Sequence, residues 1–577
     1  MTSILGINAY HGDSSAALLI DGQLVAAVEE ERFNRVKHWA GFPAESIRDV
    51  LAQGNLTVAD VEHVAVSFDP KANLGRKALF TLINRPSFRS IVDRLQRQGK
   101  SLSLRQQLAE TCGVAESVVQ AQIHNIEHHD AHIACGYLLS PFDSAAILSI
   151  DGMGDFVSTV TARGEGFEVA KFDEVFYPHS LGFLYNALTI YLGFPNYGDE
   201  YKVMGLAPYG EPEYVDELRE IIVPKGRTFE LNLDYFTHVK QGISMSWDGG
   251  YPKVEAFHSL LLEERLGPAR NPQDELTQKH ENIAASLQCV TEEIIFHLLK
   301  QLHERVRCEN VVLVGGCAMN SVANGKVTRQ TPFREVYVPV GAADNGTAIG
   351  AAFQVWHRVL QRPRTFQLEH GFWGSPVEAS ASQAAIERAG ITARKMPHEE
   401  LLDYVVDQLC DGKVVGWFQG RMEFGARALG NRSLLADPRR ADMREIINLK
   451  IKFREKFRPF APSILEEHVG AYFEIDEPSP FMERVLPIRP EQRAAIPAVT
   501  HVDGSGRLQS VSRRTNPLYW ELIERFRQRT GVPMLLNTSL NENEPIVRTP
   551  EEAVSCFQRT AMDMIVLGDL AIERKTT

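Results

Sequence analysis

Two stretches about 140 residues apart repeat one pattern of short strands and polar turns, and this repeat narrows the fold more than anything else in the chain. In the first, Ser3 to Ala9 is apolar and strand-like, and His11-Gly12-Asp13-Ser14-Ser15 is a polar turn. Ala16 to Ile20 is a second strand, Asp21-Gly22 a hairpin turn, and Gln23 to Val28 a third strand. In the second, Ala145 to Ile150 is a strand and Asp151-Gly152-Met153-Gly154-Asp155 a turn. Phe156 to Thr161, the turn Arg163-Gly164-Glu165-Gly166 and Phe167 to Phe172 complete it. Two three-stranded meanders, each opening on a polar Gly/Asp turn, predict a duplicated α/β domain whose turns face a cleft between its halves.

The middle of the chain fits that frame. A helical stretch, Asn282 to Val306, precedes the apolar strand Val311 to Val314 and the loop Gly315-Gly316-Cys317-Ala318-Met319-Asn320. A further strand, Val336 to Val340, runs into Gly341-Ala342-Ala343-Asp344-Asn345-Gly346 and a helix from Thr347 to Leu360. Both are strand, Gly-turn, helix units, which put backbone N–H groups at a helix N-terminus. Neither matches the dinucleotide GxGxxG or the P-loop pattern. Glu211 to Gly267 is irregular, rich in Gly, Pro and aromatic residues, and reads as an insertion.

A chain of 577 residues needs more than one core. Composition shifts at Arg362-Pro363-Arg364-Thr365, which places a linker there and divides the chain into 1–364 and 365–577. Strands of the second domain include Val414 to Phe418, Ser463 to Leu465, Met534 to Leu536 and Met564 to Val566. Between the first two lies a basic island, residues 421–462, with eleven Lys/Arg and five Asp/Glu. It carries +6 in a chain of net charge −13, which leaves −19 elsewhere and disfavours broad nucleic-acid binding. Phe424, Leu429, Ile447, Phe453, Phe457 and Phe460 are threaded through it, and Gly425, Gly430, Pro438, Pro459 and Pro462 bend it. Arginines on a bent, packed backbone can converge on a small anion, for which the guanidinium fork is suited. The competing reading is a solvated basic face.

No apolar run is long enough to span a bilayer, and MTSILGINAYHGD has no secretory pattern, so a cytoplasmic protein is expected. Seven scattered cysteines with no CxxC pair agree with free thiols and argue against a cysteine zinc site.

Four residues suit a metal. His128 and His132 are four apart in a helical stretch and share a face. Asp151 and Asp344 lie on the proposed cleft-facing turns, although each also reads as an ordinary turn or N-cap residue. Two imidazoles and two carboxylates suit Fe²⁺, Mn²⁺ or Zn²⁺. His11, on the first turn, is placed to take a proton from a hydroxyl. Lys452, Arg454 and Arg458 form the densest part of the island, and Asn537 adds a neutral donor at a strand end.

The motifs GINAYHGDSSAALLIDG, HHDAHIACGY, SIDGMGD, YGDEYKVMGLAPYG, VVLVGGCAMN, GAADNGTAIGAA, GRMEFGARALGNRSLLADPR, KFREKFRPFAPSIL and LLNTSLNENEPIV follow one another along nearly the whole chain. Together they resemble the O-carbamoyltransferase family of antibiotic, nodulation-factor and toxin biosynthesis. The resemblance implies an N-terminal transfer domain on the duplicated actin/Hsp70-like (RNase H-like) fold, and a C-terminal α/β domain like the threonylcarbamoyl-adenylate synthase. It implies that carbamoyl phosphate and ATP give carbamoyl-adenylate, whose carbamoyl group passes to a hydroxyl of a small-molecule acceptor. By motif match His128, His132, Asp151 and Asp344 hold a divalent metal, Fe²⁺ first among the candidates, with Mg²⁺ accompanying ATP. Gly315, Gly316 and Asn320 lie against the adenylate. Lys452, Arg454 and Arg458, with Arg421, Arg427, Arg432 and Asn537, grip carbamoyl phosphate and the ATP phosphates, and His11 activates the acceptor. Gly12 stands between His11 and Asp13, where some members have His directly before Asp. A homodimer is left open, and neither nucleic acid nor membrane is an expected partner.

Two other readings share parts of this pattern. An actin-fold small-molecule kinase explains the meanders but not HHDAH or the basic second domain. A threonylcarbamoyl enzyme acting on tRNA needs a basic surface that the −19 outside the island does not provide.

Overall fold

The computed structural model describes residues 1–84, 103–243, 245–246 and 252–574. Residues 244 and 247–251 of the 211–267 insertion lie outside the described residues. The chain forms two compact units. The first is Met1–Glu31, Val36–Asn320 and Val327–Leu368; the second is Arg32–Arg35, Ser321–Lys326 and Glu369–Thr577.

The first unit is a duplicated α/β fold, and its doubling is visible in strand order. One sheet contains β1 (Ser3–Asn8), β2 (Ser15–Ile20), β3 (Gln23–Glu29), β4 (His63–Val66) and β5 (Gln122–Asn125), in the order β3-β2-β1-β4-β5. The other contains β6 (Ser144–Gly154), β7 (Val157–Glu165), β8 (Glu168–Phe176), β9 (Asn310–Val314) and β10 (Glu335–Tyr337), in the order β8-β7-β6-β9-β10. In each, three antiparallel strands are followed by two that run parallel to the first. Asp21 and Gly22 turn the first hairpin with φ of 49° and 78°, the backbone that two-residue turns between twisted strands require.

Helix α1 (His128–Ile133) follows β5, α2 (Gln278–Val306) packs on β6 and β7, and α3 (Thr347–Gln354) packs on β1 and α1. Small residues permit the last contact: a Cβ on Gly350 would stand 1.8 Å from the Ala131 carbonyl oxygen. The structure adjusts three expected elements. Strand β6 continues through the Asp151–Asp155 stretch to Gly154, and the reversal falls on Asp155 and Phe156, with φ of 49° and 79°. The strand expected over Val336 to Val340 pairs only over Glu335–Tyr337. The helix expected to Leu360 passes after Gln354 into a π-type turn, Val355–Val359.

The second unit is built on one mixed sheet of nine strands. In chain order they are β11 (Arg394–Lys395), β12 (Val415–Phe418), β13 (Arg432–Ala436), β14 (Ala461–Leu465), β15 (Arg484–Pro487), β16 (Ser505–Val511), β17 (Met534–Ser539), β18 (Met564–Leu567) and β19 (Leu570–Glu573). Their spatial order is β11-β19-β18-β12-β13-β17-β14-β16-β15. Trp417, Leu434, Ile464, Leu535 and Ile565 lie in its core. Arg32, fully buried, donates to the Gly425 carbonyl at 2.6 Å, and Asn324 donates to that of Glu483 at 3.0 Å. The island of basic residues therefore contains a central strand as well as loops.

Candidate active site

In the first unit the four residues singled out as ligands come together. Glu127 caps α1, its carboxylate accepting from the backbone N–H groups of His129 and Asp130. That fixes the first turn, so His128 and His132 lie one above the other with their Nε2 atoms 3.0 Å apart. Asp151, on β6, brings Oδ2 to 3.6 Å from His128 Nε2. Asp344, just before α3, brings Oδ1 to 3.5 Å from His128 Nε2 and 3.3 Å from His132 Nε2. One ligand atom from each of the four lies within 4.8 Å of all the others. Burial alone would raise Asp344; the His128 and His132 imidazoles more than reverse that and hold it well below the usual carboxylate range. His128 is raised well above its ordinary value because Asp344 and Asp151 outweigh burial. Two buried imidazoles and two ionised carboxylates converging on one point fit a divalent cation with mixed nitrogen and oxygen preference.

The Nδ1 atoms of His128 and His132 are buried without partners among the described residues, so packing orients these rings. Gly154 is the tightest neighbour: a Cβ there would sit 1.9 Å from His128 Cδ2. Gly154→Ala is expected to displace the ring, cost ~1–3 kcal/mol of stability and lower metal content. Calorimetry and metal analysis of the purified variant check this; an unchanged Tm with full metal content would refute it. His129, the other histidine of the motif, faces away and is used internally, with Nδ1 2.7 Å from Ser149 Oγ and Nε2 3.1 Å from the Val157 carbonyl.

His11 lies on the turn after β1, its ring edge-on to His128 with centroids 4.8 Å apart. Burial first, and His128 second, push it down to about 4, so the imidazole is neutral at pH 7. The Gly loop reaches the same point from the other half of the fold. Gly315 has φ +92°, and a Cβ on it would stand 2.2 Å from the Ile150 carbonyl oxygen, so only glycine lets this loop lie against β6. Gly316 N–H donates to Asp151 Oδ1 at 2.7 Å. Asn320 exchanges hydrogen bonds of 3.0 and 3.1 Å with Gln288 of α2.

In the second unit the basic island splits. Across β13, β17 and β14, Leu435 stands opposite Asn537 and Asn537 opposite Ala461. Side chains alternate along a strand, so Arg432 is on the other face of the sheet from Asn537. Its guanidinium lies 3.9 Å from the Phe418 ring centroid and donates to the carbonyls of Gln419, Asn431 and Gly420. Burial pushes it down to about 10. Lys452 is also buried, with Nζ 2.9 Å from the Asn541 carbonyl and 3.3 Å from Ser539 Oγ, so it clamps the end of β17. Arg421 is bound to the carbonyls of Gly374 and Trp373 at 3.1 and 2.9 Å. Arg458 pairs with Glu455 at 2.5 Å.

The convergence lies on the opposite face from Arg432 and includes a residue that the sequence did not single out. Arg507 and Gln509 are two apart on β16 and share the Asn537 side of the sheet, because Gln509 pairs with Ser463. Gln509 Oε1 accepts from Asn537 Nδ2 at 2.9 Å, and Gln509 Nε2 donates to the Leu429 carbonyl at 2.8 Å. Asn537 Oδ1 and Arg507 Nε are buried without partners among the described residues. Burial, then the charges of Arg427 and Arg454, push Arg507 well below its ordinary value. Arg454 is held over the Phe460 ring at 4.7 Å, and its Nε donates to Asn448 at 2.8 Å. Three arginines brought together by the fold are chemically suited to an anion with several oxygens. The local signal for Arg507 was only a short alternating stretch, SGRLQSV; its partners are distant in sequence.

Comparison with known proteins adds the following. Residues 3–353 match the family model described as Carbamoyltransferase N-terminus, and residues 406–574 the one described as Carbamoyltransferase C-terminus. An uncharacterised protein of Synechocystis sp. is 40% identical, the alignment covering 100% of this chain and 97% of that one. Nodulation protein NolNO of Sinorhizobium fredii is 38% identical over 99% of this chain and 80% of its own length. The 3'-hydroxymethylcephem-O-carbamoyltransferase of Amycolatopsis lactamdurans is 36% identical over 45% of this chain and 48% of its own.

Proposed function

The chain belongs to the carbamoyltransferase family, and from that footing we propose that it is an ATP-dependent O-carbamoyltransferase working in two half-reactions. The observation that carries the reading is the meeting of Arg507 with Arg427 and Arg454 in the second unit, with Arg507 Nε buried and without a partner among the described residues.

In the first half-reaction these arginines bind carbamoyl phosphate and the phosphates of ATP, with Asn537 among the neutral groups and Lys452 and Arg432 shaping the strand ends. Water releases inorganic phosphate from carbamoyl phosphate and leaves carbamate. A carbamate oxygen attacks the α-phosphorus of ATP, pyrophosphate leaves, and carbamoyl-adenylate forms. Fixed cations in a shielded pocket suit this chemistry because charge builds on oxygens that would otherwise need water.

The first unit carries the second half-reaction. Gly315 and Gly316 offer a close backbone approach to the adenylate, with Asn320 braced behind them by Gln288. The acceptor hydroxyl oxygen attacks the carbamoyl carbon, the carbon–oxygen bond to AMP breaks, and the hydroxyl proton passes to His11. His128, His132, Asp151 and Asp344 would hold the divalent ion, Fe²⁺ in this reading, which supplies Lewis acidity when bound. The acceptor is a hydroxyl of a small molecule, a reading supported by the relative named as a cephem O-carbamoyltransferase.

The purified chain, given ATP and labelled carbamoyl phosphate, should release pyrophosphate and transfer label to hydroxyl compounds, 3'-hydroxymethylcephem among the first tried. Appearance of the ATP γ-phosphate on the acceptor would indicate a kinase instead. His11→Asn should still release pyrophosphate but slow single-turnover transfer by ~10²-fold, the lower end of general-base help. Transfer at the wild-type rate would remove His11 from the role.

A further inference from the structure

The His11 turn is held by a second segment that the mechanism above does not use. Asn8 Nδ2 donates to the carbonyls of Gly12 and Asp13 at 3.0 and 3.2 Å, which closes the turn on itself. Residues 38–41 then lie along it. Ser14 N–H donates to the Trp39 carbonyl at 2.8 Å, Tyr10 N–H to that of Gly41 at 3.3 Å, and Ser14 Oγ to Gly41 at 2.7 Å. The junction is one ion pair, His38 Nδ1 to Asp13 Oδ1 at 2.7 Å, with the His38 backbone N–H donating to Glu31 Oε2 at 2.9 Å.

Both partners of that pair are strained. Asp13 has φ +55° and His38 φ +56°, left-handed conformations that side-chain-bearing residues adopt at a cost. A third segment closes over them. A Cβ on Gly12 would be 2.3 Å from Tyr197 Oη, and one on Gly198 would be 2.3 Å from His38 Nε2. The Tyr197 and His38 rings meet edge-on at 5.5 Å. Strained backbone persists only where its surroundings over-determine it, and here three segments meet one residue from the His11 ring.

We propose that the Asp13–His38 ion pair is the latch that positions His11 against the acceptor hydroxyl, with His38 and Asp13 as positioning residues of the transfer step. This rests on His11 acting in transfer, the reading given above. The charged and titratable groups facing His38 are Asp13 from the turn, Glu31 after β3, its neighbour Lys37, and Tyr197 and Glu200 from the third segment. Burial would lower His38, but Asp13 and then Glu31 outweigh it and raise it to about 9. A raised imidazole contributes fully below its ordinary value of 6.5 and loses that contribution as pH rises through about 9. The latch is therefore closed at neutral pH and opens on the alkaline side.

Two measurements on the full chain test this. Hydrogen exchange of residues 8–16, corrected for intrinsic rate, should lose about tenfold protection in the wild type as pH passes 9, reporting the Ser14 and Tyr10 amides. His38→Gln and Asp13→Asn should lack that step. In transfer to an accepted hydroxyl compound, Asp13→Asn and His38→Ala should fall by about 10-fold or more, because small misplacement of a base is costly. His38→Gln, which keeps a donor to Asp13, should recover part of the rate and lose the alkaline limb. Pyrophosphate release, read on the other unit, is the folding control. The proposal is overturned by an exchange step that persists in His38→Gln, by transfer within twofold of wild type in Asp13→Asn, or by an equal loss of pyrophosphate release. If the wild type carbamoylates no acceptor, the functional reading falls, while the exchange comparison still decides whether the latch exists.

Discussion

Replacing Arg454 and Arg507 together with alanine is expected to abolish carbamoyl-phosphate-dependent release of pyrophosphate from ATP. Removing one partner of a desolvated charge pair typically costs ~2–5 kcal/mol, so losing two such contacts should reduce the rate by at least ~10³-fold. Arg507 should be the more sensitive single site, because its Nε has no protein partner among the described residues whereas Arg454 is anchored to Asn448. Carbamoyl-adenylate supplied from outside should still be transferred, since the His11 turn and the four proposed metal ligands belong to the other unit. Equal failure of transfer from the supplied intermediate would mean that these arginines hold the fold rather than the anion.

His132→Ala should remove the bound ion and reduce transfer below detection. Three ligands of four leave an incomplete set, and even loss of a supporting hydrogen bond commonly costs 10–100-fold in metal affinity. The variant also leaves Asp344 without its nearer imidazole, at 3.3 Å in the native arrangement. With His128 alone left beside it, this buried carboxylate takes up a proton more readily than in the native set, so restoring transfer should require higher pH as well as added metal. Metal content of the purified variant is the first check. Full occupancy would take His132 out of the ligand set, and wild-type transfer without metal would take the ion out of the reaction.

Much of the first unit could be read from residues alone, because its signals are local. Asp21-Gly22 states a two-residue turn, alternation around it states the strands, and the same text returns at Ala145. The spacing of His128 and His132 fixes their common face wherever the helix lies. The end of β6 departs from that reading for an equally local reason: Asp-Gly and Gly-Asp favour turns, yet pairing with β7 resumes at Gly154, opposite Val157, after an irregularity past Ile150. The second unit was harder. A count of arginines in 421–462 cannot show that strand alternation sends Arg432 to the face opposite Asn537. Nor can it show that Lys452 is consumed by Ser539 and Asn541. Arg507 lies 53 residues from Arg454 and 80 from Arg427, and only the sheet brings them together. The latch was invisible for the same reason, since nothing in the run 36–41 says that it lies along residues 10–14.

Asp151 uses its two oxygens in different directions, Oδ1 toward the Gly316 amide and Oδ2 toward His128. On the proposed function, one carboxylate would serve both the loop assigned to the nucleotide and the cluster assigned to the ion. Any ligand that draws Asp151 into a fixed orientation at one place prepares it at the other, and thermodynamic reciprocity makes the gain in affinity the same in both directions. If the proposed function holds, nucleotide and ion would be mutual effectors through a single side chain, and scarcity of either would weaken the hold on the other.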